Sequence, residues 1–487
     1  MRRRLAILAR FRRSGNNGVH HRGESMNREQ AVAEAQEFFD SGAFKVNLAR
    51  LVAMPTESQN PDRAPLLDDY IAREMQPLFE SLGFRCTVLH APGAKGPFLF
   101  AERNESDALP TIFGYGHGDV IRGLDAEWKE GLSPWTLTER NGFWYGRGIV
   151  DNKGQHLVNI AALRALLKTR GQLGFNAKYL IEMGEEMGSP GLKQLCRDHA
   201  DLFRSDVLIA SDGPRLNAER PTLFLGARGG ITFDLFIDAR EGGHHSGNWG
   251  GILSDPAIQL AHAIASITSP SGQIRIHEWV PKHLPDAVRR VLEGCDIDGG
   301  ADGPVIDPQW GEPGLTPAEQ VFGWCSFDVL AMKAGNPETP VNAVPPRAWA
   351  RCQLRFVVGI DVNDILPALR RHLDRHGFSM VQIEKARDEV FHATRLDPDD
   401  AWVDFVSNSL QQSSGKKTAI LPNLGGSLPN DIFAYILHMK TIWVPHSYPG
   451  CSQHAPNEHV PAGLFREALG IMAGLYWDIG SGKAPPV

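Results

Sequence analysis

Apolar residues in this chain gather in short continuous runs that break off abruptly. Pro110-Thr111-Ile112-Phe113, Ala177-Lys178-Tyr179-Leu180-Ile181 and Val207-Leu208-Ile209-Ala210 each give way to glycine and polar residues within a few positions. A strand covered on both faces needs no polar row, so these runs predict inner strands of an α/β sheet. From residue 217 to residue 387 the pattern changes. Leu223-Phe224-Leu225, Ile231 to Ile237 and Ala350 to Val358 read as strands, and Asp255 to Ile267 and Asp361 to His376 as amphipathic helices. These predict a small α+β sandwich inserted into the α/β domain, whose halves are then 26–216 and 388–487. The expected fold is therefore α/β, a mixed sheet with helices on both faces plus an inserted α+β domain. Ile274 to Gly335, rich in Pro, Gly and Trp, predicts a long irregular excursion near the entrance to a site.

Composition narrows the class only a little. The 487 residues, 42% hydrophobic and 22% charged, are enough to bury a core in two domains. A net charge of -7 gives no reason to expect nucleic acid or an anionic membrane as partner, and no apolar run reaches the ~18 residues of a membrane span. Six cysteines without a CxxC pair predict reduced thiols and a cytoplasmic protein. Met1 to Ser25 carries seven arginines and no acid before Glu24, which predicts a disordered basic extension.

The chemistry lies in short phrases, most of them where a strand-like run gives way to glycine or polar residues. They are His117-Gly118-Asp119, Gly146 to Asp151, Glu185-Glu186-Met187-Gly188-Ser189, Ser211-Asp212-Gly213 and, far downstream, His454 to Glu458. Each holds one or two oxygen or nitrogen donors suited to a divalent cation, and the carboxyl ends of α/β strands are where such sheets place their sites. One site could collect them all.

In order and wording the phrases resemble the dinuclear-metal peptidases and N-deacylases that include carnosinase, aminoacylase and succinyl-diaminopimelate desuccinylase. The similarity covers about residues 40 to 475 and is greatest to the carnosinase-like cytosolic dipeptidases. It implies that Asp151 bridges two metal ions, with His117 and Asp212 completing one and Glu186 and His454 the other. Three carboxylates and two imidazoles without Cys suit Zn²⁺ best, with Mn²⁺ or Co²⁺ as alternatives. The resemblance further implies Glu185 as general base, placed to face the attacking water because adjacent residues at a strand end point in different directions. Asp119 would accept the second imidazole N–H of His117 and fix its tautomer.

The long gap between Asp212 and His454 holds the insertion, which corresponds to the family's lid and dimerisation domain and implies a homodimer. Within it, His245-Ser246-Gly247 matches the phrase whose histidine stabilises the oxyanion in the partner subunit's site; the duplicate His244 has no assigned role. Asn342 and Arg355 align with lid residues that hold the substrate's carbonyl and carboxylate ends, and Arg suits a carboxylate through its planar fork. Gly425, Gly426 and Ser427 match a small-residue loop whose backbone N–H groups can approach a carboxylate or oxyanion. Asn423 and Leu424 stand where the family's dipeptidases carry Arg and Glu, and Arg122 where a proline usually follows the first motif. The expectation is a metal-dependent hydrolase of an amide or peptide bond in a small carboxylate-bearing substrate, dipeptidase-like. An N-acyl-amino-acid or metabolite-conjugate deacylase, and more remotely an inactive scaffold of the same fold, are the alternatives.

Overall fold

The computed structural model describes residues 27–297, 303–386 and 390–486, so the basic extension expected over residues 1–25 lies outside the described residues. Its main sheet has eight strands in the order Arg85–Leu89, Phe98–Arg103, Asn176–Glu182, Thr111–His117, Val207–Ala210, Lys440–Trp443, Thr222–Phe224 and Ala419–Leu421. The strands from Asn176–Glu182 to Lys440–Trp443 run parallel, and the outermost pair Arg85–Leu89 and Phe98–Arg103 is antiparallel, so the sheet is mixed. Alternate residues of each inner strand enter different cores. Ile112, Tyr179 and Ile209 pack under Lys153–Arg170 and Ala462–Asp478, whereas Phe113, Leu180 and Leu208 pack on the other face with Leu192–Asp198. Burial on both sides is why these runs need no polar alternation.

A second sheet, antiparallel throughout, orders Ser326–Ala334, Arg347–Phe356, Gly229–Asp238 and Gln382–Lys385. Along Gly229–Asp238 buried and partly exposed residues alternate strictly, so one face meets the helices Pro256–Ile267 and Ile365–Arg375 and the other meets solvent. Asp255 caps the first helix by accepting the Ala257 and Ile258 N–H groups.

Two expectations are corrected. The strand around Leu223–Leu225, assigned to the insertion, joins the eight-stranded sheet as Thr222–Phe224, and all three of its residues are buried as an inner strand's must be. The second sheet thus begins at Gly229, later than residue 217. The stretch from Ile274 to Gly335 is also less irregular than its composition implies, because it holds the helices Asp286–Leu292 and Pro317–Gly323 and ends in the edge strand Ser326–Ala334.

Candidate metal centre

Parallel strands present their carboxyl ends on one edge of the main sheet, and the donors gather there. His117 is the last residue of Thr111–His117, and Asp212 follows Val207–Ala210 by two residues. Asp151 precedes the helix Lys153–Arg170, and His454 follows the 3-10 turn Pro449–Cys451. Close packing at this edge requires glycine. A Cβ on Gly116 would come within 2.5 Å of His156 Cβ, and one on Gly118 within 2.3 Å of the Tyr70 ring.

Two clusters share Asp151. His117 Nε2 lies 3.2 Å from Asp151 Oδ1 and 3.6 Å from Asp212 Oδ2, while His454 Nε2 lies 3.1 Å from Asp151 Oδ2 and 3.0 Å from Glu186 Oε2. In each cluster the donor atoms lie close enough together to hold one cation. Buried polar atoms normally have partners, yet His117 Nε2 and Asp212 Oδ2 have no hydrogen-bond partner among the described residues. Both point into the first cluster, which is what ligand atoms for a cation should do. His454 is the outermost donor, its side chain 58% exposed.

The site's own charges show how strongly it favours positive charge. Burial pushes Glu185 well above the usual carboxylate range, and Asp212, Glu186 and Asp151 add like charge that His117 only partly offsets. Burial likewise lifts Glu186 to about 7. Hydrogen bonds to Asp151 and Glu186 hold His454 up to about 11. Burial alone would depress His117, but Asp119, Asp151 and Asp212 together raise it. A donor set of three carboxylates and two imidazoles, crowded and rich in negative charge, fits a pair of divalent cations.

Asp119 meets the His117 ring through two of its atoms. His117 Nδ1 is 3.0 Å from the Asp119 carbonyl oxygen and 3.4 Å from its carboxylate Oδ1, so the backbone supplies the nearer acceptor for the ring N–H. That bond still directs Nε2 toward the cluster. The carboxylate also accepts the Glu185 N–H at 3.1 Å and the Glu186 N–H at 3.2 Å. The two glutamates themselves sit on a 3-10 turn, Glu185–Met187, and not on the strand, which ends at Glu182. Glu185 Oε2 lies 4.0 Å from His117 Nε2, and Glu186 is turned toward His454.

Of the residues expected to grip substrate, one group converges. Arg355 Nη1 donates to Ser427 Oγ at 3.2 Å, Ser427 Oγ donates to the Arg228 carbonyl at 2.9 Å, and Arg228 Nε donates to the Gly425 carbonyl at 2.8 Å. Gly426 follows in the same loop. His245 and Asn342 form a separate pair at an exposed tip, where His244–His245 pairs with Ala343–Val344 and Ser246 N–H donates to the Asn342 carbonyl at 2.9 Å. Among the described residues no hydrogen bond or ion pair joins this tip to the two clusters.

Glu458 and Arg147 were overlooked as site residues. Glu458 Oε2 accepts from Arg147 Nη1 at 2.9 Å and from the Gly148 N–H at 3.0 Å, and its Oε1 accepts from the N–H groups of Val150 at 2.9 Å and Asp151 at 3.3 Å. One buried carboxylate thereby ties the Asp151 loop to the segment bearing His454. Its presence in the His454-to-Glu458 phrase was the available signal.

Comparison with known proteins agrees with this geometry. A family profile described as Peptidase family M20/M25/M40 matches residues 114–478. The chain is 30% identical over 332 residues to a Cysteinylglycine-S-conjugate dipeptidase of Corynebacterium striatum, covering 66% of this chain and 70% of that protein. It is 28% identical to the Cys-Gly metallodipeptidase dug1 of Schizosaccharomyces pombe, over 90% of this chain and 96% of that one. The crystal structure of human carnosine dipeptidase 1 superposes with a TM-score of 0.74 at 22% identity, covering 92% of this chain and 99% of that one, a likeness of fold.

Proposed function

The chain belongs to peptidase family M20/M25/M40, and from that premise we propose that it is a dipeptidase holding one cation through His117, Asp151 and Asp212 and a second through Asp151, Glu186 and His454. The observation that carries this reading is Asp151's membership of both clusters, one carboxylate oxygen facing His117 and the other His454. Two divalent cations bound there, Zn²⁺ by preference and otherwise Mn²⁺ or Co²⁺, would polarise the scissile carbonyl and acidify the attacking water. Glu185 takes the proton from the attacking water and returns it to the leaving nitrogen, a role that suits a carboxylate whose burial raises its proton affinity. Asp119 holds the Glu185 turn in place through two backbone N–H groups. Arg355 and Ser427, with the Gly425-Gly426 backbone, hold the substrate's free carboxylate.

His245 and Asn342 reach the partner subunit's site in a homodimer, His245 stabilising the oxyanion and Asn342 holding the substrate's carbonyl end. Support for the dimer comes from the strand Ser326–Ala334, an edge of the second sheet that exposes Val329, Leu330 and Met332. The six free cysteines support a cytoplasmic location. A deacylase remains the second reading for one reason. Leu424 packs against Gly213, next to Asp212, where a dipeptidase's glutamate could meet a free amine.

Elemental analysis together with hydrolysis of Cys-Gly, an S-substituted Cys-Gly, carnosine and a set of N-acetyl amino acids tests both readings. Two metal equivalents with dipeptide cleavage are expected. Cleavage confined to the N-acetyl set would favour the deacylase, and a protein holding no metal and cleaving nothing would refute the proposal.

A further inference from the structure

A second cavity, about 260 Å³, opens where the lid meets the main sheet, and none of the proposed metal ligands lines it. Ser189, Lys193 and Asp431 contribute from the main-sheet side, and Asn363, Lys385 and His392 from the lid and the segment returning from it. Asp431 is the informative residue. It is 8% exposed, and its Oδ1 has no hydrogen-bond partner among the described residues. A buried acceptor of this kind is costly to leave unpaired, so the cavity calls for an occupant that brings a donor. Lys193, on the helix Leu192–Asp198, and Lys385, on the lid strand Gln382–Lys385, both line the cavity and supply positive charge, with the Asn363 amide as a neutral donor. Burial raises the Asp431 carboxyl, while His392, whose backbone also hydrogen-bonds to the carboxylate, and the Lys193 charge pull it back, so it is Oδ1 that still wants a donor.

A pure anion would leave Asp431 unsatisfied, and a pure cation would oppose the lysines. We propose that this cavity binds a free α-amino acid, its ammonium group donating to Asp431 and its carboxylate lying between Lys193 and Lys385. The volume suits a small side chain beyond these two groups. This goes beyond the hydrolytic reading, since nothing in it depends on which amide is cleaved. Ser189 gives the site a direct route to the metal centre. It closes the turn that carries Glu185 and Glu186, and its hydroxyl donates to the buried Glu182 at 2.9 Å. An occupant therefore touches both the lid's hinge and the catalytic turn.

Calorimetric titration of the metal-loaded full-length protein with L-alanine, propionate and ethylamine reads binding without turnover, so a failed hydrolysis assay would leave this result intact. L-alanine should bind saturably, with propionate and ethylamine, each lacking one of its charged groups, at least tenfold weaker. Asp431→Asn and Lys385→Gln should each weaken L-alanine at least tenfold and leave kcat/KM unchanged without added amino acid. Lys385 is exposed, so its variant keeps the fold and decides the matter even if Asp431→Asn is unstable. L-alanine binding to Lys385→Gln as it does to the parent, or propionate binding as tightly as L-alanine, would overturn the proposal.

Discussion

Replacing Glu458 with glutamine exchanges one acceptor oxygen for an NH₂ group in a place with no room to compensate. Glu458 and Arg147 are 0% and 1% exposed, and the carboxylate receives four N–H donors, two on each oxygen. Whichever way the new amide turns, two donors then face an NH₂. Each unsatisfied buried donor costs about 1–3 kcal/mol, and breaking a buried ion pair by removing one charge costs about 3–5 kcal/mol. These overlap, so Glu458→Gln should lose about 3–5 kcal/mol of stability in total. If the amide's NH₂ faces Val150 and Asp151, the loop carrying Asp151 shifts, and affinity for divalent metal should fall by roughly 10- to 100-fold, the range seen when groups supporting a ligand are removed. Urea denaturation and titration against a chelator measure the two effects. Adding Arg147→Met to Glu458→Gln should recover part of the stability, since a pair replaced entire is far less costly than a pair broken. A Glu458→Gln protein with the parent's urea midpoint and metal affinity would refute the reasoning.

Other predictions separate roles around the site. Glu185→Gln should keep two metals and lose ~10²–10⁴-fold in kcat as a missing general base does, whereas Glu186→Gln should lose metal; the opposite pattern in metal analysis would exchange the two assignments. Mixing Glu185→Gln with His245→Ala protein under subunit exchange should restore activity, because one site of the heterodimer has both groups intact, and no recovery despite demonstrated exchange would place His245 outside the partner's site. In the second sheet, Arg351 donates twice to Asp234, at 2.8 and 2.9 Å, and that bond lowers the Asp234 carboxyl. A lowered folded-state value contributes stability above the unfolded value of about 3.9, lost as pH falls through the folded one, so Asp234→Asn should shrink the loss of stability as pH falls below about 4. An unchanged acid limb in pH-dependent melting would count against the pair.

The two donor clusters were partly legible because the phrases of His117 and Asp212 follow apolar runs, and parallel strands bring such ends together without further instruction. The strand ends themselves were less so. Glu185 and Glu186 belong to a turn closed by Gly188 at φ 89°, a geometry that neither residue type announces. The edge strand Ser326–Ala334 escaped detection because most of its residues face outward, so burial imposes no alternation on it. Thr222–Phe224 is three residues long and takes its identity from neighbours that lie about two hundred positions away in the chain. Glu458 stood in the His454-to-Glu458 phrase, but its partner Arg147 lies 311 residues earlier, so nothing local in that phrase showed which group it would meet.

The order of strands in the main sheet has a consequence for how the chain is made. Lys440–Trp443 lies between Val207–Ala210 and Thr222–Phe224, two strands that follow one another closely in sequence. A ribosome releases the two flanking strands long before the one that joins them, with the whole lid emitted in between. Until residues 440–454 emerge, the sheet has an open slot and Asp151 lacks His454, whose Nε2 lies 3.1 Å from its Oδ2. Chains cut short by a stalled ribosome therefore cannot assemble the hydrolytic centre, and the nascent polypeptide exposes the edges of that slot to whatever chaperone attends synthesis. Activity in this architecture is withheld until the segment bearing His454 has been made.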